Sequence, residues 1–152
     1  MRYCLGLLAI ALTLFARSGA ATDVSTVDRR LDDLFGEHEP YRQFLIDLQR
    51  AVAAEAHERV AYMVSYPLRT RIGAHRTTIH NAAQFLARYD ALLPPASTAA
   101  IRAQSYATVF ANARGVMIGS GQVWFSGICV DKQCSKHVVR IIAVNPGARE
   151  LQ

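Results

Sequence analysis

The most informative part of this chain is residues 115–144, GVMIGSGQVWFSGICVDKQCSKHVVRIIAV. Three runs rich in β-branched and aromatic residues are separated by two short breaks, a pattern typical of consecutive antiparallel strands. The first break, Gly119-Ser120-Gly121, has the length and composition of a tight hairpin turn. The second break covers residues 130–133. The stretch therefore predicts a three-stranded meander at the C-terminal end of the fold.

Two cysteines, Cys129 and Cys134, flank the second break. Residues on either side of a four-residue loop can lie opposite one another at a separation that a disulfide spans. The third cysteine, Cys4, lies in the predicted leader described below, and the even number that remains in an exported chain indicates a structural bridge in an oxidising compartment. The alternative is a metal or redox pair, but zinc takes four ligands and only His137 lies nearby. We expect a disulfide, with neither a metal nor a cofactor.

The first 21 residues have the features of a secretory signal peptide. Arg2 is followed by an uncharged apolar run over residues 5–15, and small residues at positions 18–21 offer a cleavage site. A membrane anchor is the alternative, but the run is shorter than the roughly 20 residues that cross a bilayer. The sequence therefore predicts a signal peptide over residues 1–21 and one domain over residues 22–152, periplasmic or secreted and without a transmembrane segment.

Charge is distributed unevenly along the chain. Residues 23–58 contain nine acidic and four basic side chains, whereas eleven basic and three acidic side chains follow from residue 59 onward. Such a dipole predicts an acidic helical end and a basic remainder, which attracts nucleic acid, anionic lipid or an acidic partner. Export argues against nucleic acid. A mixed, solvated surface with an arginine bias remains the alternative.

Helical patterns dominate the N-terminal half of the chain. The longest stripe has apolar residues at i, i+3, i+4, i+7 and i+11, namely Tyr41, Phe44, Leu45, Leu48 and Val52. Pro67 ends the helical region, and a short strand over residues 68–72 follows until Gly73 breaks it. A further helix begins with Asn81 as its cap and extends to the proline pair at 94 and 95. Helices followed by a meander predict an α+β fold.

The last strand, residues 137–144, is apolar on both faces, as is typical of a strand in the middle of a sheet. Four motifs precede or include the meander: Tyr66-Pro67-Leu68, Ile79-His80-Asn81, Phe85 with Tyr89-Asp90, and Gly115-Val116-Met117-Ile118-Gly119-Ser120-Gly121-Gln122-Val123-Trp124. In this order they resemble a group of small exported bacterial proteins of unknown function whose layout is similar to the nuclear transport factor 2-like, or cystatin-like, fold.

The resemblance covers residues 41–144 and implies a cone. In that arrangement a curved antiparallel sheet wraps against a long helix, and shorter helices close the wide end. The fold hosts isomerases, dehydratases, ligand-binding modules, inhibitors and immunity proteins, so the resemblance leaves the function open.

The most basic polar stretch contains Arg69, Arg71 and Arg76 within eight residues, just before the helix that Asn81 caps. Guanidinium groups beside a helix N-terminus are typical of a site for an anion or an acidic partner. The alternative is a solvated edge strand protected by charge. Trp124 is out of phase with both of its neighbours, so it either closes the core or is exposed as a binding anchor.

An enzyme of the cone type needs an acid or base and an oxyanion donor in its pocket. Tyr62, His80 and Asp90 are the candidates that could reach such a pocket, whereas packing on the core stripe of its helix explains Tyr89. The sequence has no metalloprotease motif, phosphate loop or nucleophile elbow. We predict an exported, non-catalytic binding domain of the inhibitor or immunity type that binds a protein in the cell envelope or outside it. The alternative is a small-molecule pocket protein or an isomerase- or dehydratase-like enzyme, and a third possibility is a homodimer that pairs through its sheets.

Overall fold

A computed structural model describes residues 24–148 of the chain, so the predicted signal peptide lies outside the described residues. The first part is helical, with α1 (Val24–Phe35), α2 (Glu39–Ala53) and α3 (His57–Tyr62). Strands β1 (Leu68–Ile72) and β2 (His75–Ile79) follow, and then come α4 (Ala82–Leu86), α5 (Tyr89–Leu92) and α6 (Pro95–Ala103). After a 3-10 turn at Tyr106–Thr108, the chain forms β3 (Phe110–Asn112), β4 (Gly115–Ile118), β5 (Val123–Cys129) and β6 (His137–Val144).

The strands form two antiparallel sheets. Strands β3, β4, β5 and β6 are neighbours in that order, so the predicted C-terminal meander and the α+β class are confirmed. Strands β1 and β2 form a separate hairpin, which we call the arm. The predicted strand over residues 68–72 is β1, and it ends before Gly73, whose φ of +59° forms the turn into β2, a strand that was not predicted. Within the described range, no helix is long and apolar enough to span a bilayer.

Helix α2 supplies the apolar face against which the large sheet packs. All five residues of its predicted stripe are buried, and the rings of Phe44 and Phe125 lie 4.9 Å apart between the helix and β5. Burial of such side chains contributes roughly 1.5–3 kcal/mol each to folding. The core extends from Val27 in α1 to Val144 in β6.

Strand β6 is the last strand of its sheet rather than a central one, which corrects the prediction from its apolar faces. Its outer edge is nevertheless covered, because Ile141 exchanges backbone hydrogen bonds with Met63 (2.8 Å) and Ser65 (2.8 Å). The register shifts beside Trp124, so that both Ile141 and Val144 are buried on the same side. The apolar pattern therefore reflects a bulge and a covered edge.

A charged cluster joins α1, α2 and the 3-10 turn. Arg42 donates to both carboxylate oxygens of Asp28 at 2.7 and 2.8 Å, and the Tyr106 hydroxyl donates to Asp28 Oδ1 at 2.7 Å. The Arg42 guanidinium also lies 4.8 Å from the centroid of the Tyr106 ring. Burial raises the pKa of Asp28, but the hydrogen bonds from Tyr106 and Arg42 outweigh it and hold that pKa below its ordinary value of 3.8. The cluster fixes the helical end of the molecule.

Candidate functional site

The candidate site is formed by the arm and by the face of the large sheet that α2 does not cover. Leu68 and Ile79 lie opposite each other at the base of the arm and are 1% exposed, which anchors the hairpin in the core. The hydroxyl of Thr70 donates to the carbonyl of Val144 at 2.6 Å. The arm is thereby held against the end of β6.

Strand alternation places the arginines of the arm on its other face. Arg69 and Arg71 alternate with buried or half-buried neighbours in β1, and all three arginines are exposed. Arg71 lies directly opposite Arg76 in the ladder. Like charges in directly opposed positions repel and destabilise a hairpin. No acidic side chain among residues 24–148 forms an ion pair with these arginines, so the arm carries three uncompensated positive charges.

Two adjoining pockets border the arm. The first, which we call the arginine pocket, has a volume of about 450 Å³ and is lined by Arg69, Thr70, Arg71, Arg76, Thr77, Thr78 and Asn145. The second, the tryptophan pocket, has a volume of about 650 Å³ and includes Trp124 and Met117 in its lining. Arg71 and Asn145 line both pockets. The structure therefore brings Arg69, Arg71, Arg76 and Trp124 together around two adjoining pockets, which we call the groove.

Three amide side chains, those of Asn145, Gln122 and Gln104, hold the glycine-rich turn at the wall of the tryptophan pocket. Asn145 Nδ2 donates to the carbonyl of Gly121 at 2.7 Å, and its backbone N–H donates to the carbonyl of Gln122 at 2.8 Å. The Gln122 side chain, only 1% exposed, accepts from Ser120 N–H at 2.6 Å. Gln104 Oε1 accepts from the N–H of Gly119 at 2.8 Å. The glycine-rich turn is thus held on several sides by amide side chains from distant parts of the chain.

Trp124 lies on the outer face of β5, between the buried residues Val123 and Phe125. Its indole ring contacts the Phe110 ring edge to face, with centroids 6.3 Å apart and planes at 84°. The strand register places Phe110 beside Met117 and Met117 beside Trp124. Trp124 is therefore half-buried within an apolar row, and its remaining exposed surface faces the groove.

The three candidates for catalysis, Tyr62, His80 and Asp90, lie outside this groove. Tyr62 is 74% exposed at the end of α3, and the side chains of His80 and Asp90 are also exposed. Asp90 lines a separate cleft of about 340 Å³ together with His57, whose ring stacks on the Tyr89 ring at 3.8 Å. Neither His80 nor Tyr62 lines that cleft.

The helix N-terminus expected to attract an anion is already satisfied by side chains. Asn81 Oδ1 accepts from Gln84 N–H at 3.0 Å, and Gln84 Oε1 accepts from His80 N–H at 2.9 Å. Asn81 is thus the predicted cap, but its helix is split into the short α4 and α5. The positive character of the groove comes from the arginines alone.

Cys129 and Cys134 are bridged, with Cα atoms 4.8 Å apart. Their expected position on opposite strands was wrong, because Cys129 pairs with His137 across the ladder and Cys134 lies within the loop over residues 130–136. Asp131 organises this loop by accepting from Ser135 N–H at 2.9 Å and from Lys136 N–H at 2.8 Å. These hydrogen bonds, led by those from Ser135, lower the pKa of the Asp131 carboxyl. The bridge closes the loop rather than linking the two strands.

Sequence reasoning missed Met117 and Asn145 as parts of the site. Met117 belongs to an apolar strand and Asn145 follows the last strand, so neither stands out from its local pattern. A polar residue directly after a buried strand and before Pro146 was the available signal for Asn145. Within residues 24–148, no cluster of three or more His, Cys, Asp and Glu side chains is arranged to hold a metal ion.

Comparison of the chain with protein-family models, curated proteins and solved structures finds no match. The chemistry of the groove is accordingly the basis for a functional proposal.

Proposed function

We propose that this protein is an exported, non-catalytic binding domain that recognises an acidic segment of a protein partner through the arginine pocket. The observation that carries the proposal is the arrangement of Arg69, Arg71 and Arg76, which are exposed beside one pocket without an acidic partner among the described residues. Opposed like charges weaken a hairpin. A carboxylate placed between Arg71 and Arg76 would relieve that repulsion and gain charge-assisted hydrogen bonds.

Export and the cone-like fold belong to the same proposal. The predicted signal peptide and the Cys129–Cys134 bridge support an oxidising compartment. The packing of the long helix α2 against the inner face of an antiparallel meander supports a nuclear transport factor 2-like cone. An inhibitor or immunity protein fits these features, because such proteins act by binding and require no catalytic group.

The test uses a fluorescently labelled peptide of alternating Asp and Gly residues, titrated by anisotropy at low salt. The Arg69→Gln/Arg71→Gln/Arg76→Gln variant removes the charge of the arm. The matched control Arg88→Gln/Arg102→Gln/Arg114→Gln removes the same net charge at exposed positions that line neither pocket. Each exposed ion pair contributes about 0.5 kcal/mol, so the arm variant should bind roughly tenfold more weakly.

The control variant should lose clearly less affinity than the arm variant if the arm is the site, because attraction to charges farther from the peptide than the Debye length is largely screened. Equal loss in both variants would show that the peptide responds to net charge only and would refute the proposal. A wild-type protein that does not bind acidic peptides at 50 mM salt would refute it as well.

A further inference from the structure

The tryptophan pocket adjoins the arginine pocket, since Arg71 and Asn145 line both. Its lining is otherwise dominated by small or apolar groups, among them Met117, Gly121, Trp124 and Ala148. An acidic side chain held by the arginines would not gain affinity from contact with this apolar surface. The pocket therefore offers an apolar surface beside the arginines on which a second chemical group of the same ligand can pack.

The geometry of the pocket favours a flat apolar group. Trp124 is oriented by the edge-to-face contact with Phe110, and Met117 lies beside it in the neighbouring strand. Gly121, with φ of +99°, leaves the edge of the indole uncovered, since a Cβ atom there would lie 3.6 Å from Trp124 Nε1 and 3.7 Å from Met117 Sδ. Aromatic rings gain affinity by packing on an indole and a thioether.

We propose that the bound segment carries aromatic side chains next to its acidic residues, and that a ring packs on Trp124 while a neighbouring carboxylate pairs with Arg71. This inference rests on the proposed function and specifies its ligand as an acidic, aromatic polypeptide segment. A polypeptide fits better than a small anion because the charged face of the arm extends from Arg69 to Arg76 beyond the tryptophan pocket.

Three labelled hexapeptides test the inference: alternating Asp and Gly, alternating Asp and Phe, and alternating Asn and Phe. The Asp-Phe peptide should bind the wild type about tenfold more tightly than the Asp-Gly peptide, in line with one well-packed aromatic contact. The Asn-Phe peptide should bind at least tenfold more weakly than the Asp-Phe peptide. Because Trp124 is the only tryptophan in the sequence, its emission should change with the Asp-Phe peptide and not with the Asp-Gly peptide.

Variants assign the gain to the pocket. Trp124→Ala should abolish the tenfold advantage of Phe over Gly and leave the affinity for the Asp-Gly peptide unchanged, and Met117→Ala should reduce the advantage without removing the indole. Tyr62→Ala is the matched control, since it removes an aromatic ring that is 74% exposed and lines neither pocket. Circular dichroism checks that each variant is folded. If Trp124→Ala does not fold, Met117→Ala still tests the contribution of the pocket.

The outcomes separate the two proposals. If both acidic peptides bind with equal affinity, the aromatic requirement is refuted and the proposed function stands. If neither acidic peptide binds, the proposed function itself is refuted. An advantage of Phe over Gly that survives both Trp124→Ala and Met117→Ala would place the aromatic group elsewhere and overturn the inference.

Discussion

Arginine has two different roles in the helical end and in the arm of this protein. Arg42 is surrounded by groups that neutralise and cover it, with two hydrogen bonds to Asp28 and an aromatic ring within 4.8 Å. Arg71 lies on a hairpin opposite another arginine and has no acidic partner among residues 24–148. A charge that is compensated within the fold therefore stabilises the fold, whereas an uncompensated charge weakens the fold and is available to a partner.

The largest effect is expected from Asp28→Asn, which removes the charge that compensates Arg42. Hydrogen bonds to charged groups contribute about 1.5–3 kcal/mol, so the free energy of unfolding should fall by about 2 kcal/mol in urea denaturation. Asp33→Asn on the same helix is the control, because its side chain is exposed and it should change stability by less than about 0.5 kcal/mol. If Asp28→Asn is as stable as the wild type, the compensated charge at the helical end does not stabilise the fold, and the two regions do not differ in this respect.

The pH dependence of stability should show whether the ionised carboxylate of Asp28 is the group that stabilises the helical end. The pKa of Asp28 is lowered in the folded state, so its contribution is present above the ordinary value of 3.8 and is lost as the pH falls through the lowered pKa. The difference in unfolding free energy between wild type and Asp28→Asn should therefore shrink as the pH falls below about 4. A difference that stays constant down to pH 2 would contradict this origin.

A smaller effect is expected from Tyr106→Phe, which keeps the ring beside Arg42 and removes the hydroxyl that donates to Asp28. The loss of one hydrogen bond to a carboxylate should lower the unfolding free energy by about 1.5 kcal/mol, the low end of the range for hydrogen bonds to charged groups. Burial, with the hydrogen bond to Asp28, raises the pKa of Tyr106 to about 12. The hydroxyl's contribution should accordingly be complete below about pH 10 and decline as the pH rises toward 12. If the Phe variant is as stable as the wild type, the Tyr106 hydroxyl contributes nothing and the stabilisation by the cluster comes from Arg42 alone.

The smallest effect, and the one of opposite sign, is expected in the arm. Arg71→Gln removes one of two directly opposed charges, so thermal unfolding should show a stability gain of a few tenths of a kcal/mol at low salt. The gain should disappear at high salt, where the repulsion is screened in the wild type too. Arg114→Gln in the turn before β4 should show no comparable gain. A destabilised Arg71→Gln protein would mean that the arm has an internal partner for this charge.

Local patterns were sufficient to predict much of the fold. The apolar stripe of α2, the glycine-rich hairpin, the Asn81 cap and the Cys129–Cys134 pairing are all contained in contiguous sequence, and each is present in the structure. Strand β2 was missed because its sequence, HRTTI, has a single large apolar residue. Its pairing with β1 depends on the Gly73 turn and on the burial of Ile79, which the strand itself does not encode.

The candidate site was predicted only in part. Arg69, Arg71 and Arg76 stand out as a basic stretch, and the phase of Trp124 places it on the face opposite Val123 and Phe125, as observed. That these residues border one groove depends on contacts between the arm, β4, β5 and residues 145–148. The sequence also did not predict that Tyr62, His80 and Asp90 lie apart on different elements. The local helix and strand patterns around each residue carry no information about the distances between them.

Local sequence is enough to specify the class of the fold, the long amphipathic helix, the meander and the number of charges, because periodicity and turn chemistry act over a few neighbouring residues. Which of those charges are compensated depends on how the chain packs in three dimensions. Tyr106 reaches Asp28 across 78 positions of the chain, while no acidic residue of the described range reaches the arm. Ion pairing depends on distances of a few ångströms between remote residues, and those distances exist only once the core has packed.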